Sequence, residues 1–259
     1  MPKFQGAVGE VYYRHWASSR PRAQIVFLHG YGEHSALYHR FGDFMNAHGI
    51  DVWALDAIGH GLSDGDRGNP GCMDDLCANA ERMTQIALAA RRGLPVSLVG
   101  HSMGAMTAAT LLLRDVRPFI GVVFGGMPIE GIDKEQEQKA AQGVMSLDPF
   151  YLDELEFDPL KFDGAMAFTH LGTLFSEQVV EKIKAGLPRI PLPVLMISGD
   201  QDIFCPPELA RRWASKIHNA EYHLFIDTYH DLLNDICHED VAKLIANTVL
   251  GWSDNQQRQ

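Results

Sequence analysis

Six short, β-rich apolar runs recur along the chain with helix-forming stretches between them. This alternation limits the available folds more than any other feature. The runs are IVFLHG (25–30), DVWALDA (51–57), PVSLVG (95–100), FIGVVFGG (119–126), PVLMISGD (193–200) and EYHLFID (221–227). Several are continuously apolar rather than strictly alternating, as strands are when a sheet is covered on both faces. Helices are expected around 36–48, 75–91, 103–114, 207–217 and 238–250. The βα alternation predicts a doubly wound α/β domain with a mostly parallel sheet. EVYYRHWA (10–17) adds an antiparallel strand at the start, and the polar end SDNQQRQ reads as a frayed tail.

The rhythm breaks once. After GGMP (125–128), about sixty residues precede the next apolar run, too many for a structureless connection. The interval holds DKEQEQKAAQG, the acidic-aromatic LDPFYLDELEFDPLKF and the helix-like SEQVVEKIKAG. It reads as a helical insertion. The expected division is a core of residues 1–128 and 191–259 with a cap, or lid, at 129–190; the plainer alternative is a long crossover with extra helices.

Composition excludes whole classes. With 46% apolar and 21% charged residues over 259 positions, the chain is neither disordered, collagenous nor a coiled coil. A chain of this length buries about 75% of its unfolded surface and needs no disulfide framework. Lys and Arg number 22 against 33 Asp and Glu, a net charge of −11 without a basic block, which argues against nucleic acid as a partner. The cysteines are Cys72, Cys77, Cys205 and Cys237; their closest spacing, C-x4-C, is not a usual zinc pattern, and no metal or cofactor is expected. The first residues lack the apolar stretch of a signal peptide, and no run approaches the ~20 residues that span a bilayer. The expectation is a soluble, cytoplasmic protein.

Chemistry enters with GHSMG (100–104), which ends the strand PVSLVG and opens the helix AMTAATLLLR. A strand–turn–helix of this kind is the setting of a nucleophile elbow. Gly100 and Gly104 remove side chains from a tight turn, and Ser102 stands clear at a helix N-terminus. An acyl-transferring serine also needs an oxyanion hole. The Met103 N–H supplies one donor, and the glycine-rich turn LHGYGEHS (28–35) offers the Tyr31 N–H as the second. The serine needs a base, and the base an orienting acid, in the chain order Ser, acid, His. Of twelve histidines, His29, His60 and His101 come too early. His223 falls in a strand, His218 before the last strand and His238 in a helix. His230, in the loop after EYHLFID, is the candidate base. Asp200 and Asp202 are both available as the acid; Asp200 sits at the strand edge, where it can hold the loop by accepting backbone N–H bonds, and the deeper Asp202 is favoured.

These residues resemble the monoacylglycerol lipase / lysophospholipase-like branch of the serine α/β-hydrolases. HGYGEHS (29–35) is similar to that branch's H-G-x-G-E-H-S, and DAIGHGLSDG (56–65) to its D-x-x-G-H-G-x-S. GHSMG, the D-x-x-C of Asp202–Cys205 and the YH at 229–230 complete the set, spanning roughly residues 10–128 and 191–250. The resemblance implies an α/β-hydrolase fold, a Ser102–Asp202–His230 triad, oxyanion donors at Tyr31 and Met103, and a small-molecule or lipid ester substrate such as a monoacylglycerol. Residues 129–190 carry no cap sequence matching the branch, so glycerol selectivity is not implied. Alternatives are a carboxylesterase, lactonase or thioesterase acting on a small acyl substrate, or a ligand receptor on the same fold. Cys205 is a candidate for lining the alcohol side and for thiol-reagent sensitivity. Phe150, Tyr151, Leu152 and Phe168 are candidates for an acyl site or for the cap's own core. His60 and Ser63 are expected to brace a loop beside the oxyanion turn. Transient contact with a membrane interface through the cap is a further expectation, although its acidity disfavours anionic lipid surfaces.

Overall fold

In the computed structural model, residues 1–132, 136, 144–162 and 167–258 are described, the side chains of Ala167, Phe168 and Gln257 excepted. Among them are strands β1 (Lys3–Gln5), β2 (Glu10–Trp16), β3 (Ala23–Leu28), β4 (Ile50–Leu55), β5 (Val96–His101), β6 (Phe119–Gly125), β7 (Val194–Gly199) and β8 (Ala220–Phe225). They form one sheet in the order β1-β2-β4-β3-β5-β6-β7-β8. The β1–β2 and β2–β4 pairs are antiparallel, and every later pair is parallel. All residues of β3, β4, β5 and β7 are buried, as their continuous apolar runs require. β8 lies at the sheet edge with alternate residues exposed.

Helices α1 (His39–Ala47), α2 (Met73–Ala90), α3 (Met103–Arg114), α4 (Pro149–Phe157), α5 (Ala167–Leu174), α6 (Glu177–Gly186), α7 (Pro207–Ala214) and α8 (His238–Gln257) cover the sheet. On one face Met73, Leu76, Met83, Met106, Ile183 and Trp213 pack with alternate strand residues. On the other, Phe41, Met45, Val241, Ile245 and Val249 do the same from α1 and α8. Each such fully buried side chain contributes about 1.5–3 kcal/mol over its exposed state. The layers are those of an α/β-hydrolase.

Three details depart from the sequence reading. β1 was not foreseen; it is only three residues long. The first helical stretch splits into a 3-10 turn (Ser35–Tyr38) followed by α1. The expected frayed tail is instead the last turns of α8, which runs to Gln257. Polar contacts dock it. Ser253 Oγ donates to Arg22 O at 2.9 Å, and Arg22 pairs with Asp254 at 3.0 Å. Trp252 fills the space that a Cβ on Gly121 would occupy.

Along the chain, α4, α5 and α6 come between β6 and β7, which pair directly. α6 lies against α3, so closely that a Cβ on Gly186 would fall 2.3 Å from Leu113. α4 sits at the opposite extreme, over the loops that follow β3 and β8, where Tyr151 hydrogen-bonds to Glu33 and Asp231.

Candidate active site

The turn from β5 into α3 holds Ser102 at φ +50°, ψ −114°. Such a conformation costs a non-glycine residue about 1–3 kcal/mol and survives only where its surroundings enforce it. The Ser102 N–H is tied to Gly125 O at 2.9 Å. A Cβ on Gly100 would lie 2.4 Å from Gly104 O, and one on Gly104 would lie 2.0 Å from Leu28 O. The two glycines therefore allow β5, α3 and β3 to approach closely enough to fix the turn.

Ser102 Oγ lies 2.9 Å from His230 Nε2, and His230 Nδ1 lies 2.9 Å from Asp202 Oδ1. His230 comes from the loop after β8 and Asp202 from the loop after β7. Burial alone would raise the Asp202 pKa; the facing His230 and the Phe204 and Cys205 N–H groups outweigh it and hold the carboxyl below its ordinary range. Those two N–H groups donate to Oδ1 at 2.8 and 2.9 Å. An ionised carboxylate only accepts, so His230 carries its proton on Nδ1 and offers the Nε2 lone pair to the Ser102 hydroxyl. Asp200 does a different job: its Oδ1 accepts the Thr228 N–H at 3.1 Å and joins the two loops. Gly126, at φ +52°, passes so close that a Cβ would lie 3.1 Å from the His230 ring and 3.2 Å from Asp202 Oδ2.

The glycine-rich turn after β3 runs beside Ser102. His29 donates from Nδ1 to Gly30 O at 2.7 Å and accepts the Ala57 N–H on Nε2 at 2.9 Å, a neutral tautomer consistent with its burial. Asp56 accepts the N–H groups of Ser35 and Leu62, both at 2.8 Å, binding this turn to the 56–65 segment. Ser63 Oγ donates to Asp56 O at 2.7 Å, and His60 Nδ1 donates to Ile58 O at 2.9 Å. Both residues thus hold the neighbouring loop and stay clear of Ser102. The backbone N–H groups of Tyr31 and Met103 have no hydrogen-bond partner among the described residues, which leaves them available to an incoming oxyanion.

A cavity of about 270 Å³ opens on Ser102 and His230. Its apolar lining comes from Tyr31, Ile132, Met145, Leu155, Leu171 and Phe204. Of the residues foreseen as substrate-lining, Tyr151 borders this cavity. Phe150 and Leu152, one position to either side on α4, point elsewhere and are 54% and 39% exposed; Phe150 lies under the Arg40 guanidinium. Cys205 is buried off the lining. Its thiol pKa is driven well above the ordinary value by burial first and the Asp202 charge second, so the anticipated thiol-reagent sensitivity does not fit this residue. The Phe168 side chain lies outside the described residues.

In the wall of the cavity lies a cluster that the sequence reading missed. His101, rejected as the base, donates from Nε2 to His230 O at 3.0 Å and faces Glu33 Oε2 from Nδ1 at 3.1 Å. Both nitrogens face acceptors, so the ring is an imidazolium. Burial would lower its pKa, but the Glu33 charge and hydrogen bond lift it to about 9. Glu33 is held at about 2: burial opposes ionisation, but His101 and the Tyr38 hydroxyl, 2.5 Å from Oε2, prevail. The signal was present in the motifs, since the Glu of HGYGEHS and the His of GHSMG are ionisable groups inside tight turns. His101, His230 and Asp231 have ligand atoms within 4.8 Å of one another. As a metal donor set they suit poorly, because His101 spends both nitrogens as donors and His230 Nε2 faces Ser102.

Comparison with known proteins accords with this geometry. The family described as serine aminopeptidase S33 (Hydrolase_4) matches residues 19–145. The monoacylglycerol lipase of Mycolicibacterium smegmatis is 25% identical, over 96% of this chain and 95% of that protein. The chain is similar to the monoacylglycerol lipase-like branch of the serine α/β-hydrolases. Human monoglyceride lipase is 28% identical to this hydrolase, over 92% of the chain and 88% of its own length. Two solved structures share the hydrolase's fold. A Paleococcus ferrophilus monoacylglycerol lipase superposes with a TM-score of 0.77 at 23% identity, covering 93% of this chain and 99% of its own. A Bacillus coagulans carboxyl esterase in complex with glycerol gives 0.81 at 19%, covering 97% and 98%. Among the described residues, no helix of the hydrolase is long and apolar enough to cross a membrane.

Proposed function

We propose that this carboxylic ester hydrolase cleaves monoacylglycerols or similar lipid-like esters through Ser102, His230 and Asp202. The observation that carries the reading is the unbroken path from Ser102 Oγ through His230 to Asp202, each step 2.9 Å, at the mouth of an apolar cavity. His230 Nε2 takes the Ser102 proton as Oγ attacks the ester carbonyl carbon. The negative charge on the carbonyl oxygen is met by the Tyr31 and Met103 N–H groups. Collapse of this intermediate breaks the bond to the alcohol, which leaves with the proton from His230. Water then enters and attacks the acyl carbon as it gives a proton to the same nitrogen; the bond to Ser102 Oγ breaks, His230 returns that proton to Oγ, and the acid leaves. Asp202 stabilises the imidazolium in both halves and keeps its own charge. Tyr31 N–H and Met103 N–H remain free in the resting state, so no internal bond has to break before the oxyanion forms.

The insertion, read as residues 129–190, serves as the cap in this proposal. Its overhanging part ends before α6, which packs beside the sheet. Leu155 and Leu171 from this segment supply apolar lining. A cavity of about 270 Å³ is at the lower edge for small-molecule sites and favours acyl chains of medium length. An ester substrate is favoured over a peptide with a free amino terminus. The acidic groups at the cavity, Glu33 and Asp231, are already hydrogen-bonded to protein groups and have little capacity for a substrate ammonium.

The test is a hydrolysis panel of monoacylglycerols, p-nitrophenyl esters, lysophospholipids and aminoacyl p-nitroanilides, with Ser102→Ala as control. The proposal expects Ser102-dependent turnover that is fastest on monoacyl esters. Turnover confined to anilides or to small non-lipid esters would replace the substrate assignment, and turnover surviving in Ser102→Ala would remove the mechanism.

A further inference from the structure

Tyr151 is a ring from the helical insertion, and it is fully buried between the two loops that build the site. Its hydroxyl is 2.9 Å from Glu33 Oε1 and 2.9 Å from Asp231 Oδ2. Each carboxyl leads to a different half of the machinery. Glu33 Oε2 accepts the Gly30 N–H at 2.9 Å, fixing the peptide just before the Tyr31 N–H. Asp231 follows His230 directly, and its own N–H is held by Met145 O at 2.9 Å. The rest of the α4 face aims at the same target. Asp148 pairs with Arg40 at 2.8 Å, Glu154 with His39 at 2.9 Å and Asp158 with His34 at 2.9 Å. Positions 148, 151, 154 and 158 lie along one side of the helix axis.

We infer that Tyr151 is a positioning residue whose hydroxyl joins the oxyanion turn to the loop of the base, so that both halves of the site are set by the seating of α4. This rests on the reading of Ser102 as nucleophile with His230 as base. The proton count fits a committed bridge. A phenol has one proton to donate and here meets two carboxyls. Glu33 is ionised against His101 and Tyr38, so the Tyr151 proton goes to Glu33 Oε1. Asp231 must then bring its own proton to Tyr151 Oη. Burial first and the nearby Glu33 charge second raise Asp231 to about 7, against the opposing pull of His101 and His230. Tyr151 thus donates to one loop and accepts from the other, a directed link that phenylalanine cannot make although it fills the same space.

The experiment compares Tyr151→Phe, Asp231→Ala and the double variant in the full chain. The readouts are kcat and KM on a p-nitrophenyl ester and the rate of Ser102 phosphonylation by a fluorophosphonate, which needs both the base and the oxyanion donors but no cognate substrate. Each single variant is expected to lose about tenfold in kcat and in phosphonylation rate, with KM within about twofold. The double variant should be no worse than the poorer single one, because both remove the same link. Parent-like kcat and phosphonylation in Tyr151→Phe, a change in KM alone, or losses that multiply in the double variant would each overturn the assignment. Should Tyr151→Phe not fold, Asp231→Ala carries the test: a tenfold loss supports the link and a parent-like rate refutes it. Failure of the parent protein to label at Ser102 would show, before any variant is compared, that the catalytic reading itself is wrong.

Discussion

Replacing Asp202 by Asn probes the acid with little change of shape. The outcome depends on which way the amide turns. Asp202 Oδ1 accepts three hydrogen bonds, from the Phe204 and Cys205 N–H groups and from His230 Nδ1, whereas Oδ2 is buried with no partner among the described residues. The two backbone donors will hold the amide oxygen in the Oδ1 position and leave the NH2 group at Oδ2. His230 then keeps its proton on Nδ1, so the loss should be that of the charge rather than of the tautomer. A unit charge about 4 Å from the developing imidazolium is worth about 4 kcal/mol at an effective dielectric of about 20. That corresponds to roughly a 10³-fold fall in kcat, less than the ~10⁴ that accompanies a wrong tautomer. Asp200→Asn, which keeps an oxygen for the Thr228 N–H, should stay within a few-fold of the parent. Steady-state hydrolysis of a p-nitrophenyl ester, with thermal melts to verify folding, reads both. An Asp202→Asn rate within tenfold of the parent, or a larger loss in Asp200→Asn, refutes the reasoning.

The strain at Ser102 predicts that Ser102→Gly abolishes hydrolysis yet leaves the unfolding free energy equal to or above the parent's, by up to about 1 kcal/mol, because glycine accepts φ +50°; a loss of more than about 1 kcal/mol in denaturant unfolding contradicts this. The His101–Glu33 pair makes stability pH-dependent. His101 is raised to about 9, so its contribution is complete below the unfolded value near 6.5 and is lost as pH rises through about 9. A melting temperature that stays flat from pH 6.5 to 9 argues against the buried imidazolium. Thiol titration of the native protein should find Cys72 reacting first, since it is exposed, and Cys205 silent until unfolding; fast labelling of Cys205 would show that the loop after β7 opens.

The strands and the juxtaposition of residues 102, 202 and 230 were legible because each depends on local pattern. Buried parallel strands read as apolar runs, the elbow needs glycines at fixed offsets, and the loops after β7 and β8 can be counted from the strands before them. The role of Tyr151 was not legible. In the sequence it is one apolar side chain among Phe150, Leu152 and Phe157, and only helix phase turns it inward while its neighbours turn out. Its partners lie 118 and 80 residues away, at Glu33 and Asp231, and no local spacing announces a bond across that distance. Cys205 misled for a similar reason: adjacency to Asp202 along the chain placed it near the site, but burial decided its chemistry. The end of α8 looked frayed from its polar composition; Arg22, more than two hundred residues earlier, holds it.

The central claim is that the Ser102 hydroxyl is the nucleophile, activated by His230. Its most direct test is mass spectrometry of the protein after reaction with a fluorophosphonate, followed by peptide mapping. One adduct per chain, located on Ser102 in the GHSMG peptide, is the predicted result. An unmodified protein, or an adduct on any other residue, would contradict it.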